Sequence, residues 1–224
     1  MKNLQVTKKE LDQILYDKQF TPEKLIQFLS GDLGDIYNAD AGVWEGYTIG
    51  EHTIMMMRQF EKYFRSNELP ANFDLGIFRL ILVLHDIGKP EAIAYGDKNQ
   101  QHVYTVEKLK NIFDTLVISN KYKDIAVALI EEDSLGEYIR GNKDIDTIAQ
   151  MINYSATRIE MNTRDFFQLL TIFYRCDAGS YTLDAGGKES LDYLFIFDRK
   201  IPSLSFASET LAKIQKLENT RVLQ

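Results

Sequence analysis

The chain reads as an all-α protein, a single bundle of about eight to ten helices. Three observations point there. Apolar residues recur at helical spacing in almost every long segment, only 4 prolines occur in 224 residues, and no Asn-Gly or Asp-Gly turn joins two alternating runs.

A first helix lies around Glu10–Tyr16. Thr21-Pro22-Glu23 then makes a helix start, with Thr as N-cap, Pro in the first helical position and an acid in the first turn, and opens a short helix through Phe28. Residues 31–48 read as an irregular approach loop bearing the only tryptophan, Trp44. Helical spacing resumes from Ile49 to about Phe64, with Met55, Met56, Gln59, Phe60 and Tyr63 near the side of His52. Asn72 or Asp74 caps the next helix, an apolar run through Phe78, Leu80, Ile81, Val83 and Leu84 that reaches His85 and is ended by Gly88 and Pro90. Residues 91–103 read as a polar loop. Helices follow at 104–118, 122–139, 143–160, 164–178, 187–198 and 207–218. Gly136 weakens the second of these and Gly141-Asn142 closes it.

Composition narrows the function. Hydrophobic content of 45% and charged content of 26% are those of a globular protein that buries a core. A net charge of −7 argues against a chain built mainly to hold nucleic acid, while leaving RNA ends and small phosphorylated substrates open, since a metal supplies positive charge locally. The single cysteine, Cys176, has no internal disulfide partner. Neither an apolar signal core in Met1–Lys9 nor a run of about 18 apolar residues is present, so the expectation is a cytoplasmic protein without a membrane partner.

The residues that carry chemistry are His52, the pair His85-Asp86 in Leu82-Val83-Leu84-His85-Asp86-Ile87-Gly88-Lys89-Pro90, and Asp177. Two of the 3 histidines therefore fall in this set. His85 and Asp86 extend a fully apolar segment, where a carboxylate is costly unless paired or metal-bound. An acid at a helix C-terminus also opposes the macrodipole. Read singly, each residue has an ordinary alternative: His52 half-buried on an amphipathic helix, Asp86 turned to solvent, Asp177 paired with Arg175 or Lys188.

The order His…His-Asp…Asp, each member on a helical segment, resembles the HD-domain metal-dependent phosphohydrolase superfamily. Leu84-His85-Asp86-Ile87-Gly88-Lys89-Pro90 is especially similar to the HD domains attached to bacterial tRNA nucleotidyltransferases, although no nucleotidyltransferase domain accompanies it. The likeness spans about residues 45–200, with residues 1–44 as N-terminal helices and approach loop, 201–224 as a C-terminal helix, and one structural domain overall. It implies one divalent metal held by His52, His85, Asp86 and Asp177. Two imidazoles and two carboxylates suit Mn, Fe, Co, Ni, Zn or, less tightly, Mg. With no histidine beyond His102, a second metal is disfavoured, Asp133 being the residue to watch.

The resemblance also implies catalytic roles for Asp86, Lys89 and His102, the last in Gln101-His102-Val103-Tyr104, with Lys89 neutralising phosphate and His102 protonating the leaving oxygen. Surface-loop roles for Lys89 and His102 stay open. Arg58, Arg175 and Tyr181 join Lys89 as substrate-binding candidates, and Trp44 and Tyr47 can stack on a base. The implied activity is hydrolysis of a phosphomonoester or phosphodiester of a small nucleotide-like substrate. The alternative is a catalytically silent, metal-stabilised nucleotide-binding or scaffold module. Oligomeric state stays open.

Overall fold

The computed structural model describes residues 7–65, 69–70, 73–198, 200 and 203–223. The cap alternative Asn72 and residues 1–6 lie outside them. The fold is a mostly all-α bundle, as the periodicity predicts. In order, the helices are α1 (Lys8–Leu15), α2 (Pro22–Tyr37), α3 (Ile49–Tyr63), α4 (Leu75–Leu84), α5 (Lys89–Ala94), α6 (Gln101–Thr115), α7 (Asn120–Ile130), α8 (Ser134–Ile139), α9 (Ile145–Arg158), α10 (Thr163–Gly179) and α11 (Ser208–Glu218). Nine of these run to eight residues or more, within the expected number, and α5 and α8 are short additions of six residues each. None of the described helices is long and apolar enough to cross a membrane.

The chain divides into two compact units, Met1–Arg58 with Phe73–Glu131, and Gln59–Asn72 with Glu132–Gln224. The first is organised on α4, whose residues 76–84 are all buried. Asp74 caps it by accepting from the Ile77 N–H at 2.9 Å, and the Tyr16 hydroxyl donates to the same carboxylate at 2.6 Å. Arg79, a fully buried cation on α4, donates to the Leu15 carbonyl at the end of α1 and stacks 3.8 Å over the Phe20 ring. That bond satisfies a carbonyl the helix end leaves unpaired, so burying the charge ties α1 to α4. In the second unit α9 and α10 pack together, and α11 packs on a two-stranded antiparallel hairpin, β1 (Phe195–Asp198) and β2 (Ser203–Phe206).

Several sequence expectations are corrected. The helix opened by Thr21 runs to Tyr37, because its apolar stripe Leu25, Leu29, Leu33 and Tyr37 continues to find the core, so the approach loop begins at Asn38. Pro90 starts a helix rather than ending one, since it occupies the first turn of α5, where a missing N–H costs nothing. The expected helix 122–139 breaks at 131–133: Asp133 caps α8 by accepting from the Gly136 N–H at 3.1 Å. A Cβ on Gly136 would stand 2.2 Å from the Asp133 carboxylate, so glycine admits this cap. The expected helix 187–198 is a turn followed by β1, whose inward Phe195 stacks on Phe206 across the hairpin at 5.7 Å. Cross-strand aromatic packing overrides the local pattern there.

Candidate metal centre

Three elements of the first unit meet at the end of α4. A reciprocal cap opens α3: the Glu51 carboxylate accepts from the Thr48 N–H at 2.8 Å, and the Glu51 N–H donates to the Thr48 hydroxyl at 3.2 Å. Glu51 is thereby committed to the cap, and His52 faces inward from the first turn. Tyr37 closes the arrangement. Its buried hydroxyl donates to the Val83 carbonyl at 3.2 Å, and a Cβ on Gly50 would come within 3.0 Å of the Tyr37 carbonyl oxygen. Burial pushes the Tyr37 phenol far above its ordinary value, so it stays a donor. The end of α2 thus fixes both the start of α3 and the end of α4. On the far side, the Gly88 N–H donates to the Thr105 hydroxyl at 3.0 Å, which locks the turn after Asp86 to α6.

The result is a buried group of three donor atoms. His52, His85 and Asp86 are 1%, 6% and 6% exposed. The two Nε2 atoms stand 3.1 Å apart, and Asp86 Oδ2 lies 3.6 Å from His52 Nε2 and 3.7 Å from His85 Nε2. His85 Nδ1 is 2.7 Å from the Leu82 carbonyl, which can only accept, so Nδ1 carries a proton and Nε2 is the nitrogen that faces His52 and Asp86. A backbone carbonyl orienting the second nitrogen in this way is the usual support of a metal-ligating histidine. An ion at about 2.0–2.2 Å from each donor sets neighbouring ligand atoms about 3 to 3.5 Å apart. The observed triangle is close to that. This buried group can hold a metal ion, and among the described residues it is the cluster of three or more such side chains whose donor atoms converge.

Lys89 belongs to the same group. It is 4% exposed, and its ammonium donates to Asp86 Oδ2 at 2.9 Å. Burial alone would raise the Asp86 carboxyl, but His85, Lys89 and His52, together with the Lys89 hydrogen bond, outweigh it and hold the acid well below the ordinary carboxylate range. Asp86 is therefore an anion at neutral pH despite its burial. His102 sits half-buried in the first turn of α6, three residues before Thr105 and so on the helix face that meets Gly88.

The remaining sequence candidates have other surroundings. Arg58 is exposed and paired with Glu23 at 2.6 Å. In the second unit, Arg175 donates to the Leu204 carbonyl and lies 4.4 Å over the Phe64 ring, holding the hairpin against α10. Tyr181 follows α10 and is half-buried, its carbonyl accepting from the Ser190 hydroxyl at 3.4 Å. Asp177 is also in the second unit, half-buried on the last turn of α10, where its charge acts on Asp133 and Tyr174. Asp133, besides capping α8, pairs with Arg140 at 2.8 Å. Burial pushes its carboxyl up, against the pull of Arg140. Trp44 is 75% exposed and Tyr47 half-buried, on the turn closed by the Asp40–Thr48 bridge.

Sequence reasoning passed over Tyr37, Lys98 and Glu45. Tyr37 looks like one more apolar position of a stripe, and only its hydroxyl contact marks it out. Lys98, in a 3-10 turn at Lys98–Gln100, donates to the Gly42 carbonyl at 2.7 Å, while Glu45, three residues after Gly42, is buried. Nothing in a polar loop distinguishes either residue before the fold is known. The chain matches no protein-family model, and no curated protein or solved structure matches it.

Proposed function

We propose that the protein is a metal-dependent phosphohydrolase of the HD type, acting on a phosphoester of a small nucleotide-like substrate. The observation that carries this reading is the buried convergence of His52, His85 and Asp86, with Lys89 on the same carboxylate. The His…His-Asp…Asp order adds Asp177 as a fourth ligand. A divalent ion held there supplies Lewis acidity toward a phosphoryl oxygen and a water acidified to near-neutral pKa.

The chain's own residues do the rest. Asp86, held anionic, and the imidazoles of His52 and His85 would hold and orient the ion. Lys89, already dehydrated, shifts from Asp86 toward a phosphoryl oxygen as negative charge grows there, a contact strengthened by the excluded water. His102 protonates the leaving oxygen.

The test is turnover of p-nitrophenyl phosphate and bis-p-nitrophenyl phosphate across Mn, Fe, Co, Ni, Zn and Mg, with metal content measured alongside. Wild-type protein is expected to bind about one ion and to hydrolyse at least one ester. His85→Ala and Asp86→Ala should lose both properties while keeping their helix content. Metal binding without turnover of these esters or of a nucleotide panel favours the silent binding module instead. Unchanged metal content in both variants removes the site.

A further inference from the structure

The second unit holds a cavity of about 280 Å³ walled by α8, α10, α11 and the 3-10 turn Asp192–Leu194. Contacts among the walls fix it. The Tyr138 hydroxyl donates to the Lys213 carbonyl at 3.1 Å, and the Lys213 ammonium donates to the Ile139 carbonyl at 2.9 Å, so α8 and α11 hold each other in both directions. The Ala207 N–H donates to the Leu194 carbonyl at 2.8 Å, which joins the turn to the start of α11. The Tyr174 ring is set against Phe206 at 6.2 Å. Preformed hollows of this kind, apolar with a few convergent polar groups, are where small molecules bind.

The polar groups that line it have bonding capacity left over. Tyr174 is half-buried and Thr210 buried, and neither hydroxyl has a hydrogen-bond partner among the described residues. Burial, and then the charge of Asp133, push the Tyr174 phenol above its ordinary value, so it keeps its proton. Arg140 donates to Asp133 at 2.8 Å and to Glu137 at 2.6 Å through Nη2 alone, which leaves Nε and Nη1. The charges, by contrast, are already met: Arg140 by those two acids, Lys213 by Glu209 at 3.9 Å. Two cations stand against three acids, so the hollow offers hydrogen bonds without a net pull on an anion, while Arg140 and Lys213 in its wall oppose a cation. The rest of the lining is apolar or aromatic. Leu191 and Leu194 contribute to it, and Tyr193, 72% exposed, reaches from it into solvent with its hydroxyl also unpartnered among the described residues.

We propose that this cavity binds an uncharged saccharide ring, whose hydroxyls bridge Tyr174, Thr210 and the remaining nitrogens of Arg140 and whose C–H face lies on Tyr193. Tyrosine and threonine hydroxyls both give and accept hydrogen bonds, as sugar hydroxyls do. A volume of about 280 Å³, at the lower end of ligand pockets, admits one ring rather than a chain of them. All of these residues lie in the second unit and none is a metal-ligand or phosphoryl candidate, so the site stands whatever the reaction at His52, His85 and Asp86.

The experiment titrates the full chain, in chelator, with the methyl glycosides of glucose, galactose, mannose and ribose, followed by saturation-transfer NMR and calorimetry. At least one is expected to bind saturably. Tyr174→Phe removes one hydroxyl and Tyr193→Ala one ring face, and each should weaken that glycoside about three- to tenfold, the scale of a neutral hydrogen bond or a ring contact. Tyr174→Phe keeps the ring on Phe206 and Tyr193 is exposed, so both variants should fold as wild type does. Tyr154→Ala, at an exposed tyrosine of α9 outside the cavity, should leave affinity unchanged, as should Asp86→Ala. Absence of saturation by all four glycosides overturns the site, and unchanged affinity in Tyr174→Phe or in Tyr193→Ala does the same. A loss in Asp86→Ala moves the ligand to the metal centre, and a loss in Tyr154→Ala equal to that in Tyr193→Ala reduces it to unspecific aromatic contact; either removes the assignment. Saturable binding of inorganic phosphate that Tyr174→Phe weakens as much makes the cavity an anion site and overturns the uncharged ligand.

Discussion

Lys89 and Asp86 show how a buried charge pair is held ready for exchange. Each is almost inaccessible, and each neutralises the other at 2.9 Å. Breaking a buried pair by deleting one partner typically costs about 3–5 kcal/mol, because the survivor stays dehydrated and uncompensated. Lys89→Met should therefore lose about that much stability in the metal-stripped protein. A divalent ion compensates Asp86 in place of the ammonium, so the loss should shrink when the ion is added. Urea unfolding of wild type and variant, with chelator and with Mn, measures both. An identical loss in the two conditions uncouples Lys89 from the metal centre. His85 is constrained in a different way: the Leu82 carbonyl selects its tautomer, which is a property of one turn of backbone and needs no neighbour.

At the scale of elements, the close approach of α6 to the turn after α4 decides where Asp86 points. A Cβ on Gly88 would stand 2.1 Å from the Thr105 backbone nitrogen, and neither backbone can yield cheaply. Gly88→Ala should cost about 1–3 kcal/mol, as overpacking does, and should weaken metal binding because the turn carrying Asp86 is displaced. Gly31→Ala makes the contrast. Gly31 lies inside α2 with nothing within 4 Å of its Cβ position, so the same substitution should stabilise by up to about 1 kcal/mol through helix propensity. Paired denaturation curves check the opposite signs. A stable Gly88→Ala protein with unaltered metal affinity shows that α6 does not position the site.

Across the whole molecule the chain forms two compact units, and the three convergent donor side chains all come from the first. His52 and His85 are 33 residues apart, so an ion joining them fixes a long loop. At a free concentration about a hundredfold above its Kd, one ion adds about 2.7 kcal/mol of stability. Hydrogen exchange should locate that gain. Adding Mn or Zn to the stripped chain is expected to slow exchange in residues 49–58 and 75–89, and around Asp177 if the fourth ligand is as the motif order proposes. Protection in the first two segments without any at the end of α10 would take Asp177 out of the ligand set.

Helical spacing, the Thr21 and Asp74 caps, and an apolar run ending in His85-Asp86 are local, so the all-α class and the position of the buried acid were legible from residue order alone. Periodicity reports which face of a segment is apolar, and that is enough to say that a charge at its end needs a partner. It carries no information on which other segment arrives there. Tertiary structure decided that His52 meets His85, through the Tyr37 hydroxyl and the Gly50 contact. It also buried Lys89 on Asp86 instead of leaving it in solvent, paired Arg58 with Glu23, and paired 195–198 with 203–206 as antiparallel strands. Lys98 is the clearest case. An unremarkable lysine in a polar stretch becomes a tie between two loops because Gly42, 56 residues away, brings its carbonyl within reach of the ammonium. Long-range packing of that kind depends on surfaces that exist only once the helices have formed and docked.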